Sequence, residues 1–220
     1  LPSTVPLYLP IMGAAAAILV TKQLFGGIGH NFANPAIVGR IALAVSFPSL
    51  MTAYPYPQTL SGVDILSSAT PLAAHGQSLP LLDLLLGTHG GVLGETCALA
   101  LLIGFGWLLC TRTVELTIPL AYLGTVVAMS GICGQNVLTQ LLSGGLLLGA
   151  FFMATDYTTS PFTRKGKLIF GVGCGLITCA IRFWGNMNEG VSYSILLMNL
   201  TVPYINAKTR KTPMGGGKRK

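Results

Sequence analysis

About seven stretches of this chain come close to the ~20 mostly apolar residues that an α-helix needs to cross a bilayer. They run over Val5–Leu24, Pro35–Leu50 (short), Val92–Cys110, Val114–Ile132, Asn136–Ala154, Leu168–Trp184 and Val191–Ala207. A backbone in hydrocarbon must satisfy its own hydrogen bonds, so runs of this kind predict an all-α, polytopic transmembrane helix bundle. Charge agrees, with 9% of residues charged and 51% hydrophobic, against about 25% charged in an ordinary soluble domain. The segment Met51 to Gly90 is too rich in Pro, Gly and Ser for a span, although Leu79–Leu86 reads as a short interfacial or re-entrant helix.

Basic residues choose the orientation, because Lys and Arg concentrate in cytoplasmic loops near span ends. If the chain alternates through these spans, Lys22, Arg40, Arg112, Arg164, Lys165, Lys167 and the tail from Lys208 to Lys220 share one side. Of the 13 basic residues, Arg182 alone falls near the other. The expected arrangement is a transmembrane domain over residues 1–207 with an outer loop over 51–90, and a basic cytoplasmic tail over 208–220. A nucleic-acid role for that tail has little support, since the run is short and follows a span. The chain opens on Leu1-Pro2-Ser3-Thr4 with no initiator Met and no basic leader, and reads as lacking its N-terminal part.

Function classes narrow quickly. His30, His75 and His89 are scattered, with no nucleophile or acid at triad spacing, so hydrolase chemistry has no support. Five cysteines lie in or beside apolar runs without a CxxC pair and read as small core residues. The glycines of Gly171-Val172-Gly173-Cys174-Gly175 and Ser143-Gly144-Gly145 read as small-residue faces that let helices approach closely.

The chemistry concentrates in polar breaks. Thr70 in Asp64-Ile65-Leu66-Ser67-Ser68-Ala69-Thr70-Pro71 offers a hydroxyl ahead of a proline, which biases it toward extended, solvent-presented backbone suited to covalent modification. Phe25 to Pro35, with Asn31 and Asn34, and Thr155 to Pro161, with Asp156, interrupt apolar stretches at the same predicted face. Either is a tight loop, or a broken-helix element that lines a cavity. For Asp156 the alternatives are a loop capped by Arg164, or oxygens offered to a cation or ligand. Glu95, Glu115 and Arg182 lie in or at the ends of spans, where charge is costly and tends to be paired or functional. Glu115 has Arg112 three residues before it as a local partner; Arg182 and Glu189 flank one loop and can pair with each other or reach a phosphate.

The Thr70 string resembles the Asp-x-x-Ser/Thr-Gly/Ser-Ala-Thr flavinylation motif of the RnfD/NqrB family. Lys22 to Arg40, Leu84 to Leu102 and Glu189 to Asn199 are similar to further family segments, in the family's order, and Pro71-Leu72 is closer to the RnfD branch. Ser68 departs from the glycine many relatives have there. The resemblance implies FMN joined to Thr70 by a phosphodiester bond, with Asp64, Ser67, Ser68 and Ala69 around it, and a non-covalent riboflavin. It extends the candidate flavin-binding set to Asn31, Asn34, Arg40, Glu95, Asp156, Arg182 and Glu189. It further implies a urea-transporter-like bundle of about ten spans, and a place in an Rnf complex that couples ferredoxin and NAD to Na+ or H+ movement. RnfA, RnfB, RnfC, RnfE and RnfG would be its partners, and a flavin transferase would mature it in the inner membrane. An NqrB-type subunit, a urea-channel-like transporter and a structural anchor without redox role stay open at this point.

Overall fold

The computed structural model describes residues 1–2, 5–27, 29–52, 81–87, 91–92, 94–185 and 190–210. Every regular element among them is helical. In chain order these are α1 (Tyr8–Ala15) running on as the π-helical segment π1 (Ala16–Gln23), α2 (Pro35–Ser46), α3 (Pro48–Met51), α4 (Leu81–Leu86) and α5 (Ala98–Cys110). There follow α6 (Thr117–Ile132), α7 (Val137–Leu142), α8 (Leu146–Leu148) with the π-helical π2 (Gly149–Met153), α9 (Arg164–Trp184) and α10 (Val191–Thr209).

Small residues decide how these helices meet. A Cβ on Gly171 would come within 2.7 Å of Ala121 Cβ, and one on Gly175 within 2.6 Å of Thr125 Cβ. The glycines of α9 therefore form the seam that α6 lies in, the close packing expected of a small-residue face. Because 171 meets 118–121 and 175 meets 122–125, α6 and α9 run parallel. Gly173 faces Met198 and Gly190 faces Ile181, so α10 returns antiparallel along α9. Gly39 of α2 lies against the Gly13 carbonyl of α1 in the same manner. Tyr122, Phe170, Leu146 and Ile195 sit at the centre with no exposed surface, and Phe105 stacks on Phe151 with ring centroids 4.1 Å apart.

Inside this apolar centre, Tyr122 Oη lies 2.6 Å from Thr178 Oγ1 and 3.1 Å from Ser194 Oγ. The three buried hydroxyls tie α6, α9 and α10 together, which meets the requirement that polar groups in a core be paired.

Among the described residues, α9 alone is long and apolar enough to cross a bilayer by length and composition. Several expected spans are shorter or interrupted, each for a local reason. The run Pro35–Leu50 breaks at Phe47, because Pro48 has no N–H to continue the ladder and starts α3 instead. The run Val92–Cys110 becomes helix only from Ala98, after a turn in which Gly94 has φ +83°. The run Asn136–Ala154 is split. After α7 the chain passes through Gly144 at φ +67° before α8 begins, so Ser143-Gly144-Gly145 is a helix break and not a helix-packing face. The short helix expected near Leu79–Leu86 is present as α4.

Candidate functional site

Besides the Tyr122–Thr178–Ser194 hydroxyls, two polar constellations stand out among the described residues, and α2 connects them. The first joins the breaks 25–35 and 155–161. Asn34 caps α2, its Oδ1 accepting from the Ala36 N–H at 3.0 Å, while its Nδ2 donates to the Met153 carbonyl at the end of π2 (3.3 Å). From α10, Asn199 accepts the Asn34 N–H at 3.1 Å and donates to the Thr159 carbonyl at 3.2 Å. Two amides thus lock both breaks to one another and to α10. Asp156 turns onto its own loop, accepting from Thr158 Oγ1 (2.9 Å) and Thr159 Oγ1 (3.0 Å). The cap comes from these two threonines and not from Arg164.

Between the breaks lies a cavity of about 450 Å³ whose walls include Lys22, Asn31, Asn34, Asp156 and Tyr157. Asn31 Oδ1 is buried there without a hydrogen-bond partner among the described residues. The end of the bundle that holds this cavity is basic. Phe162 N donates to Asn206 Oδ1, Thr163 Oγ1 to Thr209 Oγ1, and Lys167 Nζ to Glu115 Oε2 at 2.9 Å. These bonds gather the start of α6, the start of α9 and the end of α10, with the neighbouring Arg112, Arg164, Lys165, Lys167, Lys208 and Arg210, and Lys22 stands in the cavity wall. They also correct the expected Arg112–Glu115 pair: the carboxylate reaches across to α9, and the Lys167 hydrogen bond holds it below the usual carboxylate range.

The second constellation surrounds the break in the fifth apolar run. Arg40 forms an ion pair with Glu95, which arrives from the turn before α5 and is buried. The carboxylate is seated against Gly145, where a Cβ would stand 3.0 Å from its Cδ. A side chain at 145 would press on the carboxylate and make it give by a few tenths of an ångström. On the opposite side of the break Arg182 donates to the Gln140 carbonyl (2.7 Å), to Gln140 Oε1 (3.2 Å) and to the Ser143 carbonyl (3.3 Å). The last carbonyls of α7 have no helical donors, and the guanidinium supplies them with charge-assisted ones. Arg40 therefore does not stand at the basic end with the loop charges. It lies about 8 Å along α2 from Pro35 and points inward.

A second cavity, of about 330 Å³, runs along α2 past Gly39, Arg40 and Leu43 to Gly13 and Pro10 of α1, with Glu95 in its wall. Both cavities share Ala36, and the Asn34–Met153 bond lies at this junction.

A sequence profile described as the NQR2, RnfD, RnfE family matches residues 1–215. The chain belongs to this family. It is 44% identical to the D component of the Na+-translocating ferredoxin:NAD+ oxidoreductase complex of Acetobacterium woodii, over 98% of this chain and 69% of that relative. It is 39% identical to the D component of the ion-translocating oxidoreductase complex of Stutzerimonas stutzeri, over 98% of this chain and 72% of the relative. With the D component of the proton-translocating ferredoxin:NAD+ oxidoreductase complex of Clostridium ljungdahlii, identity is 38% over 98% and 71%. Membership in the NQR2, RnfD, RnfE family makes this a membrane chain, as its apolar runs require.

Against the residues expected from sequence, the structure brings Asn31, Asn34 and Asp156 to one cavity, and Arg40 and Glu95 to the other. Arg182 sits apart at the helix break. Thr70, Asp64, Ser67, Ser68, Ala69 and Glu189 lie outside the described residues. The roles of Gly145 behind Glu95, of Gln140 under Arg182 and of Asn199 between the breaks are not read from the sequence. Their signals are an amide within an apolar run and a glycine pair that can be a packing face or a break.

Proposed function

We propose that this chain is the RnfD-type component of an Rnf complex, a membrane electron relay carrying FMN on Thr70 and holding riboflavin in the cavity between its two polar breaks. The observation that carries this reading is the joining of those breaks, by Asn34 and Asn199, around one polar cavity, in a chain whose relatives are the D components of such complexes.

The residues present fit a non-covalent flavin. A cavity of about 450 Å³ falls within the roughly 300–1,000 Å³ of small-molecule sites. Asn31 Oδ1 offers a buried acceptor to a ring N–H, Lys22 a cation, and Phe152 and Tyr157 aromatic surface. A bound flavin supplies the one-electron chemistry. This chain's residues hold it, orient it by amide hydrogen bonds and keep it at the basic end of the bundle.

In this reading the basic end is cytoplasmic, as the positive-inside rule requires, the membrane is the cell's inner membrane and the Thr70 loop is outside. A single flavin cannot reach across an apolar core of roughly 30 Å, so two carriers near opposite faces are needed. Ferredoxin and NAD would be handled by partner subunits, with RnfA, RnfB, RnfC, RnfE and RnfG as the set and Na+ or H+ as the coupled ion.

Protein co-expressed with its flavin transferase should show in-gel flavin fluorescence that survives denaturation and disappears in Thr70→Ala. Fluorescence retained by that variant would refute the covalent assignment.

A further inference from the structure

Cations and exposed apolar surface meet at the basic end of the bundle. The first turn of α9 carries Arg164, Lys165 and Lys167 and no acidic residue, although a helix start favours negative charge. Of these three, Lys167 is paired with Glu115. Arg164 and Lys165 are exposed, as are Lys208 and Arg210 at the end of α10 and Arg112 beyond α5. None of the five forms an ion pair among the described residues. The Thr163–Thr209 bond at 2.6 Å and the Lys167–Glu115 bond at 2.9 Å draw the helix ends that carry them together. Like charges gathered in this way repel one another, so an anion lying over the patch relieves a standing cost.

The surface beside the patch says which kind of anion. Leu168, Ile169, Leu176 and Trp184 keep between 44% and 71% of their surface exposed, and their spacing places them with Lys165 on one side of α9. Trp184 stands 19 positions after Lys165, about 28 Å along the helix, close to the roughly 30 Å apolar core of a bilayer. A basic residue at one end of such a stripe and a tryptophan at the other are the interfacial anchors of a lipid-facing helix. Phe162, exposed two residues before Arg164, adds an aromatic ring beside the cations. A soluble acidic partner would meet the charges and leave the stripe bare, whereas a phospholipid matches both, headgroup to cations and acyl chains to leucines.

We propose that the ends of α9 and α10, with Arg164, Lys165, Lys208 and Arg210, form a binding site for the headgroup of an anionic phospholipid whose acyl chains run along the exposed stripe of α9. Arg112 lies at its edge, three residues from Glu115. The site needs a membrane around the chain and does not depend on the flavin or ion-translocation readings.

The test uses the whole complex in phosphatidylcholine vesicles. These are doped with a trace of phosphatidylglycerol bearing a photoreactive diazirine in its acyl chain, or with phosphatidylcholine bearing the same group. Adducts formed on illumination are mapped by mass spectrometry. Phosphatidylglycerol should label Leu168–Leu176 in preference to phosphatidylcholine. That preference should fall toward parity by about fivefold for each cation removed, in Arg164→Gln and then in the double variant Arg164→Gln/Lys165→Gln. Arg164→Lys/Lys165→Arg keeps the charge and should keep the preference. High salt should weaken it in the wild type, because screening shortens the reach of exposed charges.

Equal labelling by the two lipids in the wild-type complex overturns the proposal, and so does a preference that survives in the double variant. Absence of adducts at Leu168–Leu176 with either lipid also overturns it, since a partner subunit then covers the stripe. If the double variant does not assemble, a wild-type preference unmoved by high salt overturns it.

Discussion

Replacing Arg182 by methionine tests whether the fifth apolar run is held as a broken helix by one guanidinium. The substitution keeps the apolar stem and removes the guanidinium's hydrogen bonds, among the described residues those to the carbonyls of Gln140 and Ser143 at 2.7 and 3.3 Å and to Gln140 Oε1. Hydrogen bonds from a charged donor contribute about 1.5–3 kcal/mol each, and a buried acceptor left unpaired costs a similar amount. Against this stands the desolvation cost of the guanidinium, several kcal/mol, which the variant recovers. The balance is a destabilisation of about 2–4 kcal/mol, because the Ser143 carbonyl stays buried and the Gln140 carbonyl partly so in either protein. At roughly 2–4 °C per kcal/mol for a chain of this size, thermal unfolding in detergent should drop by about 4–16 °C. Arg182→Lys can serve one carbonyl and should fall between the two. A methionine variant within about 0.5 kcal/mol of wild type, the usual range of a neutral surface change, would refute the bracing role.

Two further outcomes follow from the packing. Gly175→Leu places a side chain where a Cβ alone would already stand 2.6 Å from Thr125, so α6 and α9 must separate. Overpacking of this kind costs about 1–3 kcal/mol, and the fully buried Cys174 should become reactive to maleimide; unchanged labelling would contradict the seam. Asn199→Leu unpairs the Asn34 N–H and the Thr159 carbonyl, a local cost of about 1–3 kcal/mol. Amide exchange should accelerate across 155–161 while α6 stays protected, and equal exchange would mean that the two breaks are held by something else.

The polar breaks are legible as strings, because an apolar run cannot absorb Asn, Asp and glycine clusters without changing its backbone. That 25–35 and 155–161 face one cavity is only suggested by their shared predicted side. The amides that join them come from position 34 and from position 199, far away in sequence. Glu95 is legible as a costly charge, and Arg40 is misplaced by sequence for a definable reason. Charge counting assigns a basic residue to the nearest loop, yet a guanidinium more than one turn into a helix points inward when a buried carboxylate waits there. Proximity along the chain gives Glu115 to Arg112, whereas parallel packing of α6 and α9 sets Lys167 beside it.

Composition, period and local motif are enough to give the solvent, the helical class, the charge asymmetry and the family. Which apolar runs stay intact depends on contacts between distant segments. Whether Ser143-Gly144-Gly145 packs or breaks turns on Glu95 and Arg182, which supply the opposite charges that a severed helix needs at its two ends. Those partners arrive from 50 residues before Gly145 and about 40 after Ser143, and no local pattern records their arrival.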